Sequence, residues 1–347
     1  MSKPKSITKS ALSGVQWSFL SVIVGSIVQI IYSSIMARLV APEAFGLIAM
    51  ANVIIRFGTY FSRMGIGSAL IQKRELTEPD INAGFTASLL FGTVVTLVLV
   101  ILAPLGLLIF NEENVIPVVR LMALTLFFNS ASTTAVSLLQ REFRMKEIAF
   151  AEMGSFLLGS LGVGVILAYY DFGVWALVFS SISQGLFLAF YSYLFSRHSL
   201  NLLFDMERFK PLLSFGSRVS IISFIEFVSY NLDSMVIGRL LGSELLGYYN
   251  RAQLMAHLPA EKILVSIRKV LFSSLSRVQS QNEKLFKGYQ TAFIGFGTFL
   301  FIYAFAGSAA AKEITLSLLG NQWEPAIPIL RIAILTVPFG LLMALSS

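Results

Sequence analysis

Cysteine is absent from this chain of 347 residues, which excludes a disulfide framework and a thiolate metal site. Histidine is nearly absent. His198 and His257 are the only two, and they belong to different segments, so no metal site of specific spacing follows from them. Charge is scarce as well. Asp, Glu, Lys and Arg make up 13% of the residues, whereas a soluble domain carries roughly 25%. That leaves too few charges to clothe a soluble surface. The motifs of common catalysts are also lacking: no Gly-rich phosphate loop ending in Lys and Ser/Thr, no His-Glu-x-x-His helix, no Gly-x-Ser-x-Gly elbow. An enzyme is not expected, nor a cofactor, a metal or a nucleic-acid partner.

Long apolar runs are what the chain does have. Apolar residues reach 56% and mean hydropathy is +0.76. A helix that crosses a bilayer needs about 20 mostly apolar residues. Stretches of that kind lie near 15–37, 44–63, 83–108, 115–138, 148–169, 173–195, 212–238, 244–265, 287–310 and 323–345. They are continuous rather than alternating, which favours helices over a closed barrel. The expected fold is therefore all-α, a polytopic helical membrane protein with about ten transmembrane helices. Lys3, Lys5 and Lys9 precede the first run. That run continues past Val40, too long for a signal h-region, so it reads as a retained span.

Basic residues alternate between the two sides. One side receives Lys3, Lys5 and Lys9, then Lys73 and Arg74, then Arg141, Arg144 and Lys146, then Arg197, Arg208 and Lys210, then Arg268, Lys269, Arg277, Lys284 and Lys287. The other receives short turns such as Asn111-Glu112-Glu113, Asp171-Phe172-Gly173 and Ser243-Glu244. Arg38, Arg239 and Lys312 stand against the trend. The positive-inside rule puts the N-terminus in the cytoplasm, and membrane lipids are the expected surroundings. Ser196 to Pro211 mixes charged and apolar residues. It is expected as a loose connector, with the character of an amphipathic helix on the membrane face.

That connector separates two similar halves. Arg38-Leu39, Glu43, Gly46 and Ala51 recur as Arg239-Leu240, Glu244, Gly247 and Ala252, all at one offset (239 − 38 = 201). Ile116-Pro117-Val118-Val119-Arg120-Leu121 recurs as Ile327-Pro328-Ile329-Leu330-Arg331-Ile332, at an offset of 211 (327 − 116). An offset spanning six helices, an even number, inserts both copies the same way up. This is a parallel repeat about an axis along the membrane normal, as in two-lobed transporters. The expected lobes are 1–200, with six helices, and 201–347, with about four. If the copies are equal, the second lobe is truncated and at least two further spans would complete it.

Ala41-Pro42-Glu43-Ala44-Phe45-Gly46 and Gly65-Ile66-Gly67-Ser68-Ala69-Leu70-Ile71-Gln72 resemble the N-terminal signature of Wzx-type polysaccharide exporters. These are oligosaccharide-lipid flippases of the multidrug/oligosaccharidyl-lipid/polysaccharide exporter superfamily. Asn231-Leu232-Asp233, Ile237-Gly238, Gly242, Gly247-Tyr248-Tyr249 and Arg251-Ala252 resemble the family's seventh-to-eighth helix signature. Leu319-Gly320-Asn321-Gln322-Trp323 with Ala326 resembles its ninth-to-tenth loop. The resemblance is closest to the colanic and teichuronic acid branch. It implies a flippase of the inner membrane that carries undecaprenyl-diphosphate-linked oligosaccharide to the outer leaflet. A polysaccharide polymerase and other export components would be partners. A multidrug antiporter of the same superfamily is the alternative. A membrane-bound polymerase is a weaker one, since it would carry a long outer loop.

Ionisable groups at membrane depth face a cavity or a partner, so they mark candidate sites. The substrate-binding candidates are Asn52 and Arg56 on helix two, Gln253 and His257 on helix eight, and Tyr32 on helix one. The offset of 201 relates Asn52 to Gln253, Arg56 to His257 and Tyr32 to Asp233. The coupling-ion candidates are Glu226 and Asp233, seven residues apart on one face of helix seven. Each has a plainer reading. Asp233 is placed to pair with Arg239 or Arg251, His257 to pack between helices, and Arg56 to tie two helices together. Gly154, Gly159, Gly162 and Gly164 on helix five signal close helix packing.

Overall fold

The computed structural model describes residues 24–63, 65–275 and 282–346, and every regular element among them is helical. In chain order these are α1 (Val24–Leu39), α2 (Pro42–Arg63), α3 (Ile66–Gln72), α4 (Glu78–Leu102), α5 (Leu105–Phe110), α6 (Val115–Met122) and α7 (Leu124–Arg141). Then follow α8 (Met145–Ser155), a π-helical stretch (Phe156–Gly164), α9 (Val165–Tyr169), α10 (Val174–Ser196), α11 (Met206–Leu275), α12 (Asn282–Ala309), α13 (Ala311–Leu318) and α14 (Ala326–Ser346). Six stretches among the described residues are long and apolar enough to cross a membrane: Glu78–Leu102, Val115–Arg141, Met145–Tyr169, Val174–Ser196, Phe286–Ala309 and Ala326–Leu345. They match six of the expected spans. The other four expected spans fall on α1, α2 and the two arms of α11, and each includes residues whose side chains lie outside those described. Lys3, Lys5 and Lys9, and the side chain of Glu226, lie outside the described residues.

The lateral organisation of these helices suits lipid. On α4, Leu90, Val94, Leu97 and Ile101 are exposed, at spacings of four and three, while Ala83, Ala87, Ser88, Gly92 and Thr96 are buried. Large apolar groups point outward and small or polar ones inward. In a bilayer, helix pairs gain from close backbone approach rather than from hiding oil from water.

The described helices form two compact units, and these do not coincide with the halves 1–200 and 201–347. One runs from Leu39 to Leu246. The other joins the first helix, through Arg38, to the chain from Gly247 onward. The boundaries fall near two sharp turns. Between α1 and α2 the helix is broken at Val40-Ala41. In α11 it is broken at Gly242 (φ 84°, ψ 179°), a conformation that only glycine adopts without strain. Ala41 and Gly242 are 201 residues apart, the offset read from the sequence.

The glycines of the fifth expected span do bring helices together. A Cβ on Gly159 would lie 2.4 Å from the backbone nitrogen of Gln184. Beside it Ser160 donates to Gln184 Oε1 at 2.8 Å. Here the helix widens into the π-helical stretch, which the sequence pattern did not announce.

The expectation of a loose amphipathic connector is corrected. Residues 197–205 are not helical; helix begins again at Met206. Arg197, at φ 47°, ends α10 in the left-handed region. The segment then docks back on its own unit. Leu203 N–H donates to Thr86 Oγ1 at 2.8 Å, and its side chain packs on Ile66, Leu70, Ala83 and Ala87. His198 is buried between Phe85 and Tyr193. Burial pushes its pKa below the usual 6.5, partly opposed by a 2.8 Å hydrogen bond to the Ser199 carbonyl.

Candidate functional site

The cations divide by what their guanidinium groups meet. A helix leaves its last carbonyls unpaired and carries partial negative charge at that end, so an arginine donated there is satisfied and electrostatically favoured. Four arginines are used in this way. Arg141 donates to the carbonyls of Leu70, Ile71, Lys73 and Arg74, at 3.0, 3.0, 2.5 and 3.0 Å, around the end of α3. Arg144 donates to Phe195 O at 3.0 Å near the end of α10, and also meets Glu142 and Glu147. Arg38 donates to Ser317 O at 2.5 Å near the end of α13. Arg239 donates to Leu108 O and Ile109 O at the end of α5.

Arg38 and Arg239 were two of the three exceptions to the charge alternation, and their positions explain why. Each is absorbed by a helix C-terminus. Arg239 was also one of two partners considered for Asp233. Its guanidinium lies on carbonyls instead, and exposed Asp233 accepts from Ser234 N–H at 2.7 Å.

The family-signature residues of the 319–323 turn have a structural task. Trp323, fully buried, donates from Nε1 to Ala37 O at 2.7 Å, and Gln322 Nε2 donates to the same carbonyl. Trp323 also sits edge-on to Tyr248, with ring centroids 5.8 Å apart. So this turn caps the end of α1, while Arg38 of α1 returns a bond to the end of α13.

The candidates fall into two groups, one in each unit. In the unit from Leu39 to Leu246, Asn52 is half-buried and Arg56 exposed, one turn apart on α2. Among the described residues no hydrogen bond or ion pair engages Arg56. Thr59, next along that face, donates to Ile55 O at 3.0 Å. Asp233 belongs to this unit too, on the first arm of α11.

In the other unit, Tyr32 of α1 lies beside Arg251 of the second arm of α11. Arg251 Nη1 donates to Ser33 Oγ at 2.9 Å. Gln253 Nε2 donates to Tyr249 Oη at 2.7 Å, and among the described residues no donor reaches its buried Oε1. His257 Nδ1 lies 3.8 Å from Glu261 Oε1. Thus Asn52 and Arg56 share one face, and Tyr32 joins a polar cluster on the helix of Gln253 and His257.

Arg251 was not nominated as a site residue from the sequence, although the same rule that singled out Arg56 applies to it: a fixed cation well inside an apolar helix. Arg120 and Arg331, noted only as markers of the repeat, are exposed on α6 and α14, five residues into each helix (120 − 115 and 331 − 326). What the arrangement can do is hold anions. It offers permanent cations and amide donors on helices otherwise built for lipid.

Comparison with known proteins agrees with this picture. Residues 35–328 match the family described as "Polysaccharide biosynthesis protein". The Escherichia coli K12 protein named "Lipopolysaccharide biosynthesis protein WzxC" is 23% identical over 329 residues, covering 94% of this chain and 67% of the relative. The Rhizobium meliloti "Succinoglycan biosynthesis transport protein ExoT" is 28% identical over 331 residues, covering 94% of this chain and 66% of the relative. The chain thus spans about two thirds of the length of these relatives. Among solved structures, the lipid II flippase MurJ in an inward closed conformation superposes with a TM-score of 0.72 at 14% identity, over 96% of this chain and 73% of that one. The fold is shared. Together with the six apolar helices, these matches make the protein a multi-pass membrane protein and a transporter rather than an enzyme. The chain belongs to the Wzx-type polysaccharide exporter family.

Proposed function

We propose that the protein moves an undecaprenyl-diphosphate-linked oligosaccharide, or a related polysaccharide precursor, from the cytoplasmic to the outer leaflet of the inner membrane by alternating access. The N-terminus and the loops of Lys73, Arg144, Lys210 and Lys284 are then cytoplasmic. Two halves related by a parallel repeat would supply the moving parts. The matched turns at Ala41 and Gly242 support that repeat. So do Arg38 and Arg239, 201 residues apart, which both end on helix C-terminal carbonyls.

The observation that carries the proposal is Arg56. Four other arginines are spent on helix ends, whereas Arg56 is exposed on an apolar helix beside Asn52. A diphosphate at membrane depth is as costly as any buried ion. Arginine offsets that cost with a permanent charge and a planar fork that donates two hydrogen bonds to phosphate. Asn52, Tyr32, Gln253 and His257 would add contacts to sugar and phosphate. Glu226 and Asp233 are the candidates for a coupling ion.

The test is export in cells. In a complete homologue bearing these residues, Arg56→Ala should abolish polymer export at normal protein level, and Arg56→Lys should restore part of it. Wild-type export by Arg56→Ala would remove Arg56 from the mechanism. The orientation has its own test. Because the chain has no cysteine, a single cysteine at Glu112 should react with an impermeant label in intact cells. Reaction only after permeabilisation would reverse the topology.

A further inference from the structure

The unit built from α1 and the chain beyond Gly247 contains an apolar cavity of about 510 Å³. Ile30 of α1, Leu254 and Leu258 of α11, Phe299 and Ala306 of α12 and Leu330 of α14 are among the residues that line it. Its polar group is the Tyr303 hydroxyl, which is already committed to Ala256 O at 2.9 Å. Water in such a space would find no partners, and a dry apolar cavity of about 150 Å³ takes up one benzene-sized hydrocarbon. By that measure the space holds a hydrocarbon of roughly twenty carbons (510 ÷ 150 × 6).

A cation lies one helical turn from residues that line this cavity. Along α1, Ser33 is one turn beyond Ile30; along α11, Arg251 is one turn before Leu254, and these two residues are hydrogen-bonded at 2.9 Å. One turn further, Ala37 and Tyr248 both meet Trp323. The two helices therefore run side by side in opposite directions, with Arg251 adjoining the cavity from the side of the capped α1 end. An apolar slot with a fixed cation a turn away matches a molecule with a hydrocarbon chain and an anionic head.

We propose that this cavity holds one acyl chain of an anionic bilayer phospholipid, whose phosphate is drawn to Arg251. The size decides between chains. The space fits one ordinary acyl chain and falls well short of an undecaprenyl chain, so the occupant is a resident lipid rather than the tail of the transported cargo. The site stands independently of the transport reading.

The test uses the 347-residue protein in vesicles containing a trace of phospholipid with a photoactivatable diazirine near the end of one acyl chain. The headgroup is either phosphatidylglycerol or phosphatidylcholine. Labelling of the 254–259 and 299–310 segments should favour phosphatidylglycerol by about tenfold, because the choline cation beside the phosphate of phosphatidylcholine opposes its attraction to Arg251. Arg251→Gln should equalise the two lipids, and Arg251→Lys should keep part of the preference if the first variant folds poorly. Ala306→Trp, at an exposed position on the cavity wall, should abolish labelling by both. Equal labelling by the two headgroups in the unaltered protein would overturn the proposal. So would undiminished labelling in Ala306→Trp, or a disulfide between copies carrying cysteine at Ala306, which would make a second protein chain the occupant.

Discussion

Thr86 offers a direct measure of how firmly the 197–205 segment is held. Its hydroxyl is buried on α4, donates to Asn82 O at 2.7 Å and accepts the Leu203 N–H at 2.8 Å. Thr86→Val keeps the shape of the side chain and removes both bonds. The Asn82 carbonyl keeps its place in the helix ladder, so the main loss is the partner of Leu203 N–H. An unsatisfied buried donor costs about 1–3 kcal/mol. Leu203 is only half-buried, so water replaces part of that bond and the lower end applies, about 1–1.5 kcal/mol. Since 1.4 kcal/mol is a factor of ten, amide hydrogen exchange at Leu203 should accelerate roughly tenfold. The assay is hydrogen–deuterium exchange on the reconstituted protein, read on peptides covering 197–205 and, as internal control, α7. Thr86→Ser should exchange like the unaltered protein because its hydroxyl can make the same bonds. If valine and serine variants exchange alike, the Thr86–Leu203 bond does not hold the segment down.

Three further outcomes are expected. Exchange in the same segment should quicken as pH falls below about 6.5, because the undocked His198 takes up a proton before the docked one, whose pKa burial has lowered; after correction for intrinsic rates, His198→Gln should flatten that pH dependence. Trp323→Ala removes a fully buried ring and its bond to Ala37 O, so it should cost about 3–5 kcal/mol, seen as a lowered unfolding temperature in detergent. Gly159→Ala places a methyl 2.4 Å from the Gln184 backbone, which should cost about 1–3 kcal/mol through overpacking, measured by the same melt.

The parts of this fold that were legible in the sequence are those with a physical signature local to a short window. The spans of α4, α7, α10, α12 and α14 could be read because lipid demands an unbroken apolar run. The packing role of Gly159 was marked by its small-residue neighbours. What could not be read depends on distant partners. Nothing near Arg239 says that its charge ends on the carbonyls of Leu108 and Ile109. Nothing near Ser196 says that Leu203 finds Thr86, since its mixed residues suit a surface helix as well as a docked strap. The candidate site shows the same division. Arg56 and Gln253 could be picked out as polar groups in apolar helices. Arg251, considered only as one of two partners for Asp233, meets Ser33 and Tyr32, which lie more than 200 residues earlier in the chain.

The cap on α1 bears on how the protein is made. α1 leaves the ribosome well before the indole that closes its last turn, which lies 286 residues later in the chain. Until Trp323 has been synthesised and inserted, the Ala37 carbonyl lacks its final donors and Arg38 lacks the end of α13. Contacts of such sequence separation form late, because the loop between the partners must close first. The early helix must therefore wait in the bilayer, held there by its apolar residues, while the unit from Leu39 to Leu246 can assemble from segments that emerge in between. Assembly defects caused by Trp323 or Arg38 variants should accordingly appear as a first helix that stays accessible to protease or label after synthesis ends, with the α4–α10 packing already complete.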